Sequence, residues 1–310
     1  MVVQRSVVVM LLMIAFIGCG EDEPEKVKPN EVIEVERIID ESPTQEIIWE
    51  KDGTEMVLIP AGSFEMGDHF NEGLAREHPV HIVELDAFYM DKHEVTVRKF
   101  REFVRETGYE YDRWDDVAES SPTSRHPMIF VNWHDATAYC EWAGKRLPTE
   151  AEWEYVARGG LSGKRYLWGD NENQARSYAN YNGTNGTDKW TRSAPVGSFK
   201  SNLYGLSDMA GNVYEWCADW YDEDYYNNSA LRNPQGPSSG EDRVLRGGSW
   251  PNVSNLLRVA CRFNFNPMGT NFNCGFRCVS GSPAVQQLLP LSVLSRVCTA
   301  LLLVAYFVSN

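Results

Sequence analysis

From residue 160 to residue 282 the chain carries no run of apolar residues at helical spacing; glycine, asparagine, proline and aromatic residues dominate instead. Such a stretch folds as short strands joined by long structured loops. Loops of that length need pinning by a metal or a disulfide, or they carry function. The upstream part is more regular. MVLIPAGSFEMG (56–67) reads as strand, Pro-Ala-Gly turn, strand, and HPVHIVELDAFYMDKHEVT (78–96) alternates in the manner of further strands. Thr96 caps a helix that buries Phe100, Phe103 and Val104 and stops at Gly108. Residues 109–128 read as a polar loop. Asn132 opens a second helix with Ala136, Tyr139, Cys140 and Ala143 on one face and Gly144 at its end. Thr149 and Glu152 stand at capping-box spacing, so a third helix runs from there to Gly159. The expected class is α+β, with few short helices and strands.

The two ends differ from this middle. Arg5, then VVVMLLMIAFIG, then Cys19 form a secretory signal over residues 1–18. FIGC resembles a bacterial lipobox, in which Cys19 is lipidated and becomes the mature N-terminus; the alternative is an ordinary signal peptide beside a chance cysteine. Lipid on Cys19 places the chain at a membrane surface, in a bacterial cell envelope and facing an extracytoplasmic, oxidising space. Residues 19–50 then read as an acidic tether. Of a net charge of −15, the stretch Glu21–Glu50 supplies −8, from 11 acidic and 3 basic residues. That acidity argues against a nucleic-acid partner. Residues 283–310 form an apolar tail interrupted by Arg296, with too few apolar residues after it to span a bilayer comfortably. Its role is unknown.

The folded part, residues 51–282, carries a series of specific stretches: MVLIPAGSFEMG, EHPVHIVELDAFYMDKHEVT, PMIFVNWHDATAYCEWAGKRLPTEAEWEYVARGG, YLWGD, SAPVGSFKSNLYGLSDMAGNVYEWCADWY, RVLRGGSW and CGFRC. In this order they resemble the formylglycine-generating enzyme (sulfatase-modifying factor) family, whose domain is a variant of the C-type lectin fold. The resemblance implies an oxidase that converts a sulfatase cysteine to formylglycine with molecular oxygen and copper held by two thiolates, the soft ligands that select Cu(I). The family pattern is Gly-Gly-Ser, an aromatic residue, one residue, Cys, four residues, Cys. Gly247, Gly248, Ser249 and Trp250 fit it, but the two cysteine positions hold Asn252 and Leu257. Copper is therefore not expected, and whether the chain is an enzyme stays open. Ser249, Trp250 and Asn252 become pocket candidates; Ser249 reads equally as a turn serine. Two functions remain: a non-catalytic binding or accessory module for a protein, peptide or glycan, or an oxidase with a relocated thiol, for which Cys261 is the nearest.

The resemblance also implies two structural calcium sites. In ANYNGTNGTDKW, Asn180 and Asp188 would give side-chain oxygens and Tyr181 and Trp190 carbonyls. In SDMAGNVYEW, Asp208 and Glu215 would give carboxylates and Gly211 and Val213 carbonyls. Mixed carboxylate and carbonyl sets suit calcium; the alternative is a set of Asx-turns without metal. It further implies a disulfide between Cys140 and Cys278, while the position of a second family bridge holds Ala157. Pairing among Cys217, Cys261 and Cys274 cannot be deduced. His78 and His81 are too far apart in strand phase for a zinc site, His134 is better explained by a helix start, and no P-loop, G-x-S-x-G or Rossmann fingerprint is present. The tandem NGTNGT reads as a series of turns rather than a glycan site.

Overall fold

The structure is a computed structural model that describes residues 45–281. The signal segment, Cys19, most of the tether and the apolar tail lie outside the described residues. Among those described, no helix is long and apolar enough to cross a membrane.

In chain order the strands and helices are β1 (Glu46–Ile48), β2 (Glu55–Ile59), β3 (Gly62–Met66), β4 (His81–Leu85), β5 (Phe88–Asp91), α1 (Val97–Thr107), α2 (Trp114–Ser120), α3 (Trp133–Trp142), α4 (Glu150–Arg158), α5 (Ala175–Tyr178), β6 (Tyr214–Trp220), β7 (Arg243–Arg246), β8 (Phe263–Phe265), β9 (Cys274–Gly275) and β10 (Val279–Gly281). They form a four-stranded sheet β1-β2-β5-β10, a hairpin β3-β4, and a second four-stranded sheet β8-β7-β6-β9. All pairings are antiparallel except β6 with β9. The class is the expected one: mixed, with short elements and long loops.

The three expected helices begin and end where the capping residues place them. Thr96, Asn132 and Thr149 each accept a bond from the amide three residues on, the last two within capping boxes. Gly108 and Gly159 end α1 and α4 in the left-handed region. Two expectations need correction. Residues 109–128 contain α2, whose N-cap Arg113 makes no side-chain cap bond, so only the acidic first turn at Asp115 and Asp116 marks it. The tether is also shorter than read, because Glu46–Ile48 pairs with Glu55–Val57 and joins the first sheet.

Two apolar clusters form the core. One surrounds Trp153 and the first sheet; the other gathers Phe100, Tyr139, Trp216 and Phe276 between α1, α3 and the second sheet. Every residue of α4 is buried, so its charges need partners. Glu150 pairs with Arg262, Glu152 with Arg146, and Glu154 with Arg158 and Arg246. Cys140 on α3 is bonded to Cys278, as expected, while Cys217, Cys261 and Cys274 are free and buried.

Candidate functional site

The loop that follows β7 is built from backbone outward. Gly247 and Gly248 adopt φ of 96° and 73°. A Cβ on Gly247 would lie 3.1 Å from the Trp153 ring, and one on Gly248 would lie 2.8 Å from the Leu256 carbonyl. Only glycine fits both the dihedral and the space. Arg246, fully buried, donates to the carbonyls of Val259, Ala260 and Cys261, and so fixes the far end of the loop.

Inside this frame the two positions where thiolates were expected have structural roles. Asn252 Oδ1 accepts from the Ser249 amide at 2.8 Å and from Ser249 Oγ at 2.7 Å. Asn273 Nδ2 donates to Ser249 Oγ at 2.8 Å. Ser249, Asn252 and Asn273 therefore form one closed network. Leu257 sits in the apolar core, 1% exposed. Trp250 packs on Phe272 with ring centroids 5.4 Å apart, and Val253, Met268 and Phe272 are exposed on loops, as is Phe263 on β8. An open pocket of about 390 Å³ adjoins the loop at Asn255 and Arg258, with Glu72, Arg165, Tyr166 and Glu172 as its other walls. Its two arginines are already paired, Arg165 with Glu72 and Arg258 with Glu77.

A second cluster lies behind the loop. Asp208 adopts a φ of 63°, and its Oδ2 accepts from the Gly197 amide at 2.7 Å. Its Oδ1 is buried with no partner among the described residues. Glu215 forms a two-pronged ion pair with Arg277, both contacts at 2.7 Å, and also accepts from Trp153 Nε1. Glu94 accepts from Asn212 Nδ2 at 2.7 Å and from the Val213 amide. Three buried carboxylates thus face the single guanidinium of Arg277. Burial, then the charges of Asp208 and Glu215, push the Glu94 carboxyl well above its ordinary value. Burial lifts Asp208 to about 6, against the Gly197 bond and Arg277 and with help from Glu215. Among the described residues no three His, Cys, Asp or Glu side chains converge on one point. A cation here would thus rest on Asp208 together with the carbonyls of Gly211 and Val213. The unpaired Asp208 Oδ1 and the neighbouring carboxyl groups are oxygen donors of the kind calcium takes.

The third cluster holds Asn180, Tyr181, Asp188 and Trp190. Asn180 Nδ2 donates to the Arg192 carbonyl, while its Oδ1 is buried without a partner among the described residues. The Tyr181 carbonyl and the Asp188 carboxylate, however, face the guanidinium of Arg176. Here the implied ion does not fit beside that side chain. The loop passes directly against the second cluster: a Cβ on Gly211 would lie 2.2 Å from the Asn180 carbonyl.

Comparison with known proteins agrees with this frame. Residues 44–281 match the family described as "Sulfatase-modifying factor enzyme 1-like domain". The chain belongs to that family. A "Formylglycine-generating enzyme" of Streptomyces coelicolor is 40% identical over 280 residues, covering 72% of this chain and 88% of the relative. An "Inactive C-alpha-formylglycine-generating enzyme 2" of Bos taurus is 33% identical over 279 residues, covering 73% and 88%. Among solved structures, PvdO from Pseudomonas aeruginosa aligns with a TM-score of 0.67 at 29% identity, covering 77% of this chain and 99% of that one.

Within the sulfatase-modifying factor domain, the three free thiols among the described residues are all buried. Cys261 is 7% exposed, its thiol pushed up first by burial and then by Glu77. Burial likewise raises Cys217 and Cys274. A thiolate is both the nucleophile and the metal ligand, and all three sites oppose its formation. Glu94 and Arg176 were not singled out from the sequence. Glu94 lies in the quoted DKHEVT stretch, so the motif contained it. Arg176 precedes the NGTNGT turns and carries no pattern that marks it.

Proposed function

We propose that this chain is a lipid-anchored, extracytoplasmic member of the sulfatase-modifying factor family that binds a protein or peptide and carries out no thiol chemistry. The observation that carries this reading is Asn252 Oδ1, which accepts from both the amide and the hydroxyl of Ser249. The position where a copper thiolate would stand is occupied by a hydrogen-bonded turn, and the second position is part of the core. What faces outward instead is apolar and aromatic: Val253, Phe263, Met268 and Phe272, with Trp250 half-buried beside Phe272. Aromatic residues and methionine are the side chains that interfaces concentrate. That one mammalian relative at 33% identity is named inactive supports the same direction.

Cys19 supplies the anchor in this reading, residues 20–45 the spacer, and a bacterial cell envelope the location. One calcium ion, held by Asp208, Gly211 and Val213 with Glu94 and Glu215 nearby, pins the loops behind the network. It acts structurally, and copper has no ligand set at the expected positions.

The test is oxidation. Purified chain is mixed with Cu(I), oxygen and a peptide carrying the sulfatase Cys-x-Pro-x-Arg motif, and the peptide is read by mass spectrometry. The expected result is unchanged peptide. Formylglycine in the product overturns the proposal, and its loss in Cys261→Ser would move the chemistry to that thiol. Anchoring is tested separately by incorporation of labelled palmitate, expected in the native chain and abolished in Cys19→Ser.

A further inference from the structure

We propose that the guanidinium of Arg176 is the resident cation of the 180–190 loop and takes the place of the ion implied there. The contacts are those of a cation cage. Nη1 donates to the carbonyls of Tyr181 at 2.8 Å and Gly183 at 2.7 Å and to the Asp188 carboxylate; Nη2 donates to the Asn182 carbonyl. Three consecutive main-chain carbonyls and one buried carboxylate therefore converge on one side chain. The guanidinium carbon also lies 3.4 Å from the centre of the Tyr181 ring, which covers one face of the fork. Gly183 has a φ of 85°, and a Cβ there would sit 3.3 Å from Arg176 Nη2, so the loop backbone is wrapped closely around the fork. Lysine would not reproduce this. A planar fork reaches several acceptors at fixed angles, whereas an ammonium is a single point.

Charge distinguishes the two clusters. The 180–190 loop contributes one carboxylate, Asp188, since Asn180 is neutral. One guanidinium balances it, whereas a divalent ion would leave a positive excess in a buried place. The cluster behind the loop sets three acidic side chains, Glu94, Asp208 and Glu215, beside the single guanidinium of Arg277, where a divalent ion would find more than one carboxyl group. Arg176 and a calcium ion cannot share the first cage, because they would compete for the Tyr181 carbonyl and Asp188 and repel each other. Asn180 Oδ1, buried without a partner among the described residues, and the Trp190 carbonyl are the oxygens of the implied set that the guanidinium leaves over. They are what a metal would use if Arg176 were removed.

The measurement is calcium stoichiometry by native mass spectrometry of the purified chain at saturating calcium. The native protein is expected to hold one ion. Arg176→Ala, and Arg176→Met as a variant that keeps the length of the side chain, are expected to hold one ion more. Asp188→Asn in the native background is expected to leave the count unchanged. Two ions in the native chain overturn the proposal, as does an equal count in native and Arg176 variants, or a loss of one ion in Asp188→Asn. The proposal stands apart from the calcium assigned to the Asp208 cluster. If the native chain holds none and the Arg176 variants hold one, the assignment at Asp208 fails and the role of Arg176 stands. Hydrogen exchange of the 181–190 peptides gives a second reading: native protection there should not respond to added calcium, and in the Arg176 variants it should.

Discussion

Asn252→Ala tests whether the former copper position is now part of the scaffold. The substitution removes the single acceptor of two bonds. Ser249 Oγ keeps Asn273 as a partner, so its loss costs about 1 kcal/mol, a typical net hydrogen bond. The Ser249 amide is different. Ser249 is fully buried, and Asn252 Oδ1 is the acceptor of its amide. Leaving such a group without a partner costs about 1–3 kcal/mol. The sum is about 2–4 kcal/mol, which in a domain of this size lowers Tm by roughly 4–16 °C. Asn252→Asp keeps an acceptor oxygen in place and should stay within about 1 kcal/mol of the native chain. Asn252→Cys, which restores the family residue, puts a weak sulfur acceptor there and should fall between the two. Urea unfolding followed by tryptophan fluorescence provides the stability differences. A cost below about 0.5 kcal/mol for Asn252→Ala, within the range of ordinary surface changes, would refute the argument. The turn would then hold without the side chain, and the asparagine would mark only a lost thiol.

Cys217, Cys261 and Cys274 should resist maleimide at pH 8 in the native protein and react after unfolding, as read by peptide mapping; rapid native labelling of Cys261 would contradict its burial. Asp219 is raised to about 8 and Asp208 to about 6, so the folded state holds protons that the unfolded chain has released from about pH 4 upward. Stability in chelator should therefore fall as pH rises, through about 6 for Asp208 and through about 8 for Asp219. Asp219→Asn should flatten the upper part, and an unchanged slope between pH 6 and 8 would reject that assignment. Replacing Cys140 and Cys278 together by alanine opens a link spanning 138 residues, for which chain entropy predicts a loss of up to about 5 kcal/mol in denaturant titrations.

What could be read in the sequence was whatever depends on near neighbours. Thr96, Asn132 and Thr149 announce their helices because a cap bonds three residues away, and Gly108 and Gly159 end theirs through one backbone angle. That Asn252 and Leu257 stand at the family's two cysteine positions is visible by their spacing after RGGSW. Helix α2 escaped because Arg113 offers no capping oxygen, and β1 escaped because its flanking charges read as tether. The work done by Asn252 was not legible, since a hydrogen-bonded asparagine and an idle one look alike in a loop. Glu94 meets Asp208 and Glu215 only after more than a hundred residues of intervening chain have folded. Arg176 lies within a dozen residues of its acceptors, yet three of its four partners are carbonyls, which every residue possesses.

The first sheet has a consequence for timing. Its order, β1-β2-β5-β10, sets three strands from the beginning of the domain beside one from its end. While the chain is being made, β5 has an open edge until Val279–Gly281 emerge to pair with it, and Cys140 lacks its partner for almost as long. Early local helices can form as the chain emerges, whereas this sheet waits for its last strand, and a pairing so distant in sequence is slow to find. A chain cut short by even a dozen residues before Gly281 would lose the closing strand and the crosslink together. It would expose an unpaired edge of apolar residues, the kind of surface that seeds aggregation.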